Sequence, residues 1–268
     1  MFQNLFDSHT HSDNSYDGHD SIAMMCEAAT LSNLSGFCIT DHFECNIPDE
    51  NGFIRLRDSM FEMLRAQAAF RSQVMLTCGI ELGQATQNLP VANKALELLK
   101  YDFVIGSLHN IRTTPDFCEL DFHQLNVPEL LTQYYDEMLE MCQWGKFDAL
   151  GHLTYPLRYI QGIQKIEVDM KPYEEVIREI MKTLISKDRA IEINTSTLRQ
   201  GLGTTMPSFP YVKMFRELGG EYVTIGSDAH WAKDLGANIS DGMEVLQEAG
   251  FKYFTVFRRR EPKMLRIL

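Results

Sequence analysis

The feature that most constrains this chain is a regular alternation of short apolar runs with longer segments of helical periodicity. The runs are rich in Val, Ile, Phe and Leu and have the length of buried strands. Seven of them cover residues 5–7, 36–40, 75–80, 103–106, 147–150, 190–193 and 222–225, and an eighth lies at 253–257. Helical segments are predicted at 21–32, 54–71, 128–144, 173–187 and 209–218. This alternation predicts a parallel sheet with helical crossovers, a signature that open doubly wound sheets and closed barrels share.

Two local patterns predict which side chains are buried and which are exposed. In the segment 54–71, Met60, Phe61, Leu64 and Ala68 recur at intervals of three and four residues, so they are predicted to form the buried face of a helix. Near the end of the chain, residues 258–260 are three consecutive arginines. Such a run is typical of a solvated surface.

Length and charge limit the class of protein. The 268 residues are 44% apolar, which is enough to build one large core, and a single α/β barrel commonly fills about 250 residues. We therefore expect one domain over residues 1–268. The net charge of −12 disfavours nucleic acid as a partner. No apolar run could span a membrane and no leader is recognised, so a cytoplasmic protein with reduced cysteines is expected.

Potential metal ligands follow the ends of six predicted strands. They are His9, His11, His42, Glu81, His109, His152, Asp228 and His230. A single histidine is more often a satisfied surface or core residue than a metal ligand. In parallel α/β folds, however, the carboxyl ends of the strands share one face, where active sites lie. Buried polar groups gathered there need partners, and a metal cluster would provide them.

The spacing of these residues supports a shared site. His9 and His11, like Asp228 and His230, are two residues apart and therefore face the same way on a strand. Imidazole and carboxylate donors together suit zinc, iron or manganese better than calcium. Asp17, in an Asp-Gly pair close to His11, is a further candidate ligand, and His19 is its weaker competitor.

The same motifs resemble those of the PHP (polymerase and histidinol phosphatase) family, and the resemblance extends over nearly the whole chain. It is carried by residues 7–11, 40–42, 79–81, 107–109, 151–152 and 226–230. The stretches 192–199, 226–230 and 254–260 resemble the histidinol-phosphatase branch of the family. The resemblance implies a distorted TIM-like (β/α)7 barrel with a parallel strand core and an active site at the C-terminal strand ends.

The resemblance also implies a site for three divalent metal ions, which could be Zn, Mn or Fe. His9, His11, Glu81 and Asp228 would hold the first ion. Glu81 would bridge to a second ion, which His109 and His152 would complete. The third would be held by Asp17, His42 and His230, although some family members have His where Asp17 stands.

The activity implied by the resemblance is phosphomonoester hydrolysis, with L-histidinol phosphate as the small substrate and a metal-activated water as the nucleophile. The expected catalytic residues are Glu81, Asp228 and His230. The expected phosphate-binding residues are Arg158 and Arg199, which follow strand ends, and Asn194 and Ser196 would contact the substrate from the same face. Asp7 is expected to orient an imidazole ligand from behind.

Three other functions remain open at this point. A PHP phosphoesterase could act on another small phosphate or on a nucleotide. Amidohydrolases also begin with His-x-His on a first strand, although the placement of Glu81 and His42 is not expected there. A metal-stabilised barrel without turnover could serve as an interaction module.

Overall fold

A computed structural model describes residues 2–32, 34–47 and 50–268, in which seven parallel strands form a nearly closed barrel. The barrel strands are β1 (Phe6–Thr10), β2 (Gly36–Ile39), β4 (Met75–Gly83), β5 (Phe103–Ser107), β6 (Ala149–Leu150), β7 (Ala190–Asn194) and β8 (Val223–Gly226), in that spatial order. A short strand β3 (His42–Glu44) pairs in parallel with the end of β4. A parallel bridge between Thr10 and Ala229 brings the first strand against the last. The structure thus selects the barrel over the open sheet.

Helices surround the barrel, except for a single turn, Ser196–Arg199, which lies at the C-terminal end of β7. The helices are α1 (Ile22–Leu31), α2 (Glu50–Phe70), α3 (Leu89–Leu98), α4 (Val127–Trp144), α5 (Glu174–Ser186), α6 (Ser196–Arg199), α7 (Phe209–Glu217) and α8 (Ile239–Glu248). A six-residue π-helical turn, Arg158–Ile163, follows β6. Within the described residues, no helix combines the length and apolar character needed to cross a membrane.

Local sequence signals explain where several helices begin and end. The Ser21 side chain accepts a hydrogen bond from the Met24 N–H and so caps α1. The Asn126 side chain does the same for the Glu129 N–H at the start of α4, and Gly145 ends that helix with a φ of 65°. The five predicted helices are present, as α1, α2, α4, α5 and α7, whereas α3, the single-turn α6 and α8 were not predicted.

The core lies between the barrel strands and the helices around them. Every residue of β5 and of β7 is buried, because helices cover the outer face and neighbouring side chains fill the interior. Phe37, Phe103 and Phe147 are among the largest fully buried side chains. Strands that are buried on both faces have continuous apolar sequences, which is why they were recognisable in the chain.

The predicted buried face of α2 is wrong for three of its four residues, and only Met60 packs, half-buried, against the core. Phe61 is 64% exposed and Leu64 is 51% exposed. The helix packs inward instead through Leu56, Met63 and Ala66. Both sets have helical spacing, so the periodicity predicts the helix but does not decide which of two partly apolar stripes meets the barrel.

A C-terminal hairpin of β9 (Tyr253–Arg258) and β10 (Glu261–Arg266) packs at the N-terminal end of the barrel strands. Its turn residues, Arg259 and Arg260, both have positive φ angles. The Arg260 guanidinium pairs with the buried Asp148, which precedes β6, and the Arg259 N–H donates to Asp102 Oδ1 at 2.9 Å. The expectation of a solvated arginine run is therefore wrong for Arg260.

Candidate metal centre

The carboxyl ends of the barrel strands bring the nine predicted ligands into one cluster. These residues are His9, His11, Asp17, His42, Glu81, His109, His152, Asp228 and His230. Most of their side chains are buried, and Asp17 and His230 form the more exposed rim, with 38% and 23% of their side chains accessible. The cluster consists of three overlapping groups of ligand atoms.

The first group surrounds one oxygen of Glu81. His9 Nε2 lies 3.1 Å from Glu81 Oε2, and His11 Nε2 lies 3.5 Å from the same oxygen. His11 Nε2 is also 3.4 Å from Asp228 Oδ1. Asp228 has a φ of 56°, a conformation that is uncommon for a residue other than glycine. Two imidazoles and two carboxylates therefore converge, as a single cation would require.

The second group surrounds the other oxygen of Glu81. His152 Nε2 lies 2.9 Å and His109 Nε2 lies 3.1 Å from Glu81 Oε1, and the two nitrogens are 3.3 Å apart. A further imidazole, His42, places its Nδ1 2.9 Å from the first oxygen, Glu81 Oε2. One carboxylate thus presents Oε2 to three imidazoles and Oε1 to two.

The third group lies at the rim. Asp17 Oδ2 is 3.0 Å from His230 Nε2 and 3.5 Å from His42 Nε2. The His11 ring stacks on His42 and on His230, with 4.2 Å between ring centroids in each case. His19 instead stacks on Trp231, away from these atoms. The geometry therefore favours Asp17 over His19 as the third residue of this group.

The hydrogen bonding of the cluster fits metal ions. Several buried ligand atoms are without a hydrogen-bond partner in the part of the chain that the structure describes. They are His9 Nε2, both ring nitrogens of His11, Asp17 Oδ1, His42 Nδ1, Glu81 Oε2 and His152 Nδ1. Such atoms are costly to bury without a hydrogen-bond partner. Imidazole nitrogens and carboxylate oxygens together are the ligand atoms that zinc, manganese or iron takes.

The electrostatics of the cluster shift the pKa values of neighbouring histidines in opposite directions. Burial lowers the pKa of His9, but the carboxylates of Glu192, Glu81 and Asp228 outweigh it and hold that pKa well above its ordinary value. Burial and the neighbouring His42 and His230 hold the pKa of His11 well below its ordinary value. Adjacent imidazoles therefore differ in charge, because only one of them has a carboxylate at each of its nitrogens.

The two carboxylates at the centre remain ionised despite their burial. Burial raises the pKa of Glu81, but His9, His42 and His109 together hold it well below its ordinary value. Burial likewise raises the pKa of Asp228, and His9 and Arg158 bring it well below. Both side chains therefore present negative charge to a cation.

Two further carboxylates orient the imidazoles and were missed from the sequence. His9 Nδ1 donates to Glu192 Oε1 at 2.6 Å, and Glu192 Oε2 accepts the His152 backbone N–H at 2.8 Å. His109 Nδ1 lies 3.0 Å from Glu44 Oε1. In both rings Nε2 is left facing Glu81. The sequence offered only the spacing as a signal for these two residues. Glu192 lies two residues before the predicted site residue Asn194, and Glu44 lies two residues after His42.

Asp7 does not orient an imidazole. Its carboxylate accepts hydrogen bonds from the backbone N–H groups of Ser227, Gly236 and His9 and from the Ser227 hydroxyl. It therefore links β1 to the loop that follows β8, and this loop carries Asp228 and His230.

The predicted phosphate-binding arginines lie beside the first group. Arg158 is buried and donates through Nη2 to Asp228 Oδ2 at 2.7 Å and to the Ser196 hydroxyl at 2.6 Å. Arg199 donates through Nη2 to the Ser227 carbonyl at 2.7 Å. Arg158 Nε and Arg199 Nη1 are buried and have no hydrogen-bond partner among the described residues. Both arginines thus hold unused donors next to the cluster.

Asn194 and Ser196 lie behind Arg158. Asn194 Oδ1 accepts from the Ser196 hydroxyl at 2.6 Å, and its amide nitrogen donates to Asp228 Oδ2 at 3.3 Å. Both side chains are fully buried. In this structure they fix the positions of Arg158 and Asp228.

A parallel barrel with a histidine and carboxylate cluster at its C-terminal face defines a class of metal-dependent barrel proteins. The chain belongs to the PHP domain family, whose model matches residues 7–196. A protein named probable histidinol-phosphatase from Clostridium acetobutylicum is 28% identical over 92% of this chain and 95% of its own length. The histidinol-phosphatase of Lactococcus lactis is 27% identical, covering 94% of this chain and 93% of its own.

Among solved structures, the chain is similar to histidinol phosphate phosphatase from Lactococcus lactis. The TM-score is 0.83 with 25% identity, and the match covers 97% of this chain and 99% of the other. That protein was crystallised with zinc, L-histidinol and phosphate.

Proposed function

We propose that this protein is a metal-dependent phosphomonoester hydrolase that releases phosphate from L-histidinol phosphate. The observation that carries the proposal is the Glu81 carboxylate, whose two oxygens together face five imidazoles, with two arginines alongside. The relatives named histidinol-phosphatase, which match this chain over almost its full length, support the choice of substrate.

The ligand assignment follows the three groups. His9, His11, Asp228 and Glu81 would hold one divalent ion, and Glu81, His109 and His152 would hold a second. Asp17, His42 and His230 would hold a third. The mixed nitrogen and oxygen donors suit zinc, manganese or iron. Ions bound there would supply positive charge that neutralises the phosphate and lowers the pKa of the attacking water.

The arginines would bind the transferred phosphate. Arg158 Nε and Arg199 Nη1 are the unpaired donors, and a guanidinium matches the geometry of phosphate oxygens. Ser196 and Asn194 would position Arg158 by holding its other donor edge. We place proton acceptance at the ionised carboxylate of Asp228, which lies between Arg158 and His11. His230, whose Nδ1 bonds to the Asp228 carbonyl and whose Nε2 faces Asp17, would act as a ligand that also holds the Asp228 backbone in place.

The experiment that tests this function compares phosphate release from L-histidinol phosphate, p-nitrophenyl phosphate and a 3′-nucleotide. Each is measured before and after chelation, and after Zn or Mn is added back. We expect kcat/KM for L-histidinol phosphate to be far above the other two and to be lost on chelation. Equal, low rates on all three would keep the metal site but reject the substrate. Metal binding without cleavage of any of them would indicate a barrel without turnover.

A further inference from the structure

The outward face of α2 carries an apolar stripe that the barrel does not cover. Ile54, Phe61 and Leu64 are each more than half exposed, and Ala68 is exposed on the same side of the helix. Single exposed apolar residues are common on protein surfaces, but apolar residues that recur along one face of a helix are typical of a contact with another element. The stripe is therefore a candidate docking surface.

The spacing of the stripe matches the seam of a coiled coil. Ile54, Phe61 and Ala68 are seven residues apart and take the a positions of a heptad, while Arg57 and Leu64 take the d positions. The helix has 21 residues, which corresponds to about 30 Å at about 1.5 Å per residue. A second helix could therefore lie along the whole stripe, and another copy of this chain offers one in its own α2.

Arg57 decides which orientation a second copy of α2 could take. In a parallel pair each d residue faces its own counterpart, so Arg57 would face the partner's Arg57, and like charges there oppose pairing. In an antiparallel pair the a residues face the d residues instead. Phe61 then packs on the partner's Leu64, and Arg57 lays its aliphatic stem over the partner's Ala68. The stripe therefore favours antiparallel pairing.

The charges beside the stripe are complementary to a second copy of the helix. Asp58 and Arg65 are both exposed, both take the e position, and neither forms an ion pair within the residues that the structure describes. The Arg65 guanidinium lies 5.8 Å from the centroid of the Phe61 ring, at the edge of the stripe. In an antiparallel pair the e positions face one another, so Asp58 meets the partner's Arg65, and two-fold symmetry repeats the pair.

We infer that α2 is a dimerisation helix, which binds the α2 of a second copy of this chain in antiparallel orientation. Phe61 and Leu64 lie at the centre of the interface, and the Asp58–Arg65 pairs lie at its edge. One helix from each subunit buries less than the roughly 1,600 Å² of a standard interface, so the dimer should be weak, with a Kd of about 1–100 μM. The inference is independent of the proposed phosphatase function.

Sedimentation velocity on the full, metal-loaded chain tests the inference. Between about 1 and about 200 μM protein, the wild type should change from monomer to dimer. Phe61→Glu should raise Kd by about 100-fold or more, because it places a charge at the centre of the interface in both subunits. Leu64→Glu repeats this test if Phe61→Glu does not fold. Leu125→Glu, at an exposed apolar residue just before α4, is the matched control and should leave Kd unchanged.

Exchange of the flanking charges tests the orientation. Asp58→Arg places arginine against arginine at two symmetry-related contacts and should weaken the dimer by about 10-fold, and Arg65→Asp should do the same with two carboxylates. The double variant restores opposite charges and should recover the wild-type Kd. A wild type that stays monomeric at the highest concentration, a dimer unaffected by the Phe61 and Leu64 substitutions, or a double variant as weak as the single ones would overturn the inference.

Discussion

At the residue scale, Glu81 is the side chain on which the cluster depends, because one of its oxygens faces three imidazoles and the other faces two more. Glu81→Gln keeps the shape of the side chain but removes the charge from both groups. We expect activity to fall by more than about 100-fold, since loss of even an outer partner costs a metal site about 10–100-fold. Phosphate release, metal analysis and circular dichroism would measure the effect. Glu97→Gln, on the exposed face of α3, is the matched control. A Glu81→Gln protein with normal turnover and metal content would contradict the bridging role.

Glu192 lies behind the candidate ligands and contacts two of them. Its carboxylate holds His9 Nδ1 and the His152 N–H, so it fixes the ring orientation of one ligand and the backbone of another. Glu192→Gln should weaken metal affinity by about 10–100-fold, the usual effect of losing such a partner. Titration with a competing zinc chelator would measure this, and Glu97→Gln again provides the reference. Unchanged zinc affinity in the variant would show that His9 is oriented without Glu192.

At the scale of elements, a three-residue strand decides the placement of His42. β3 pairs with the end of β4 so that His42 lies opposite Glu81 and Glu44 lies opposite Gly83. A Cβ atom at position 83 would come within 2.1 Å of Glu44 Oε2, so a larger residue there would displace the carboxylate that faces His109. The strand is too short to be recognised from sequence, although its register delivers one ligand and the carboxylate that faces His109.

The C-terminal hairpin gives a prediction about stability. Arg260→Met keeps a long side chain but leaves the buried Asp148 with weaker compensation, from Arg189 Nη1 at 3.8 Å and the Val104 N–H. We expect a loss of about 1–3 kcal/mol in the free energy of unfolding, the cost of an uncompensated buried polar group. Urea denaturation would measure it. The control is Arg259→Met, because Arg259 contacts Asp102 through its backbone. Equal stability of the two variants would mean that the Arg260 pair contributes nothing, and kcat/KM should change in neither.

At the scale of the whole molecule, the cluster joins both ends of the barrel, from His9 on β1 to His230 after β8. Metal removal should therefore lower the stability of the entire fold. At a free metal concentration of 100 times Kd, each bound ion adds about 2.7 kcal/mol, which corresponds to a fall in Tm of roughly 5–10 °C for each ion removed. Thermal unfolding with and without a chelator would measure this, with re-addition of zinc as the control. An unchanged Tm would show that the barrel closes without its metals.

Metal uptake should also depend on pH. Burial lowers the pKa values of His9, His42 and His109, but nearby carboxylates hold all three well above the ordinary value. These rings therefore carry protons in the metal-free protein near neutral pH, and metal binding must release them. Apparent zinc affinity should strengthen as pH rises from about 6 to about 8. Calorimetry in buffers of different ionisation enthalpy would count the released protons, and the absence of proton release would contradict the assignment.

The amino-acid sequence by itself determined the alternation of strands and helices and the positions of the nine candidate ligands that the structure brings together. Continuous apolar runs mark strands that are buried on both faces, and parallel strands bring their carboxyl ends to one edge, so residues distant in sequence could be assigned to one site. The tertiary structure alone decided what depends on distance between elements. Closure of the barrel, the inward face of α2, the pairing of Arg260 with Asp148, and the support of His9 and His109 by Glu192 and Glu44 all arise from register and packing. A local pattern specifies periodicity but not phase or partner, because these depend on which surfaces the rest of the chain brings into contact.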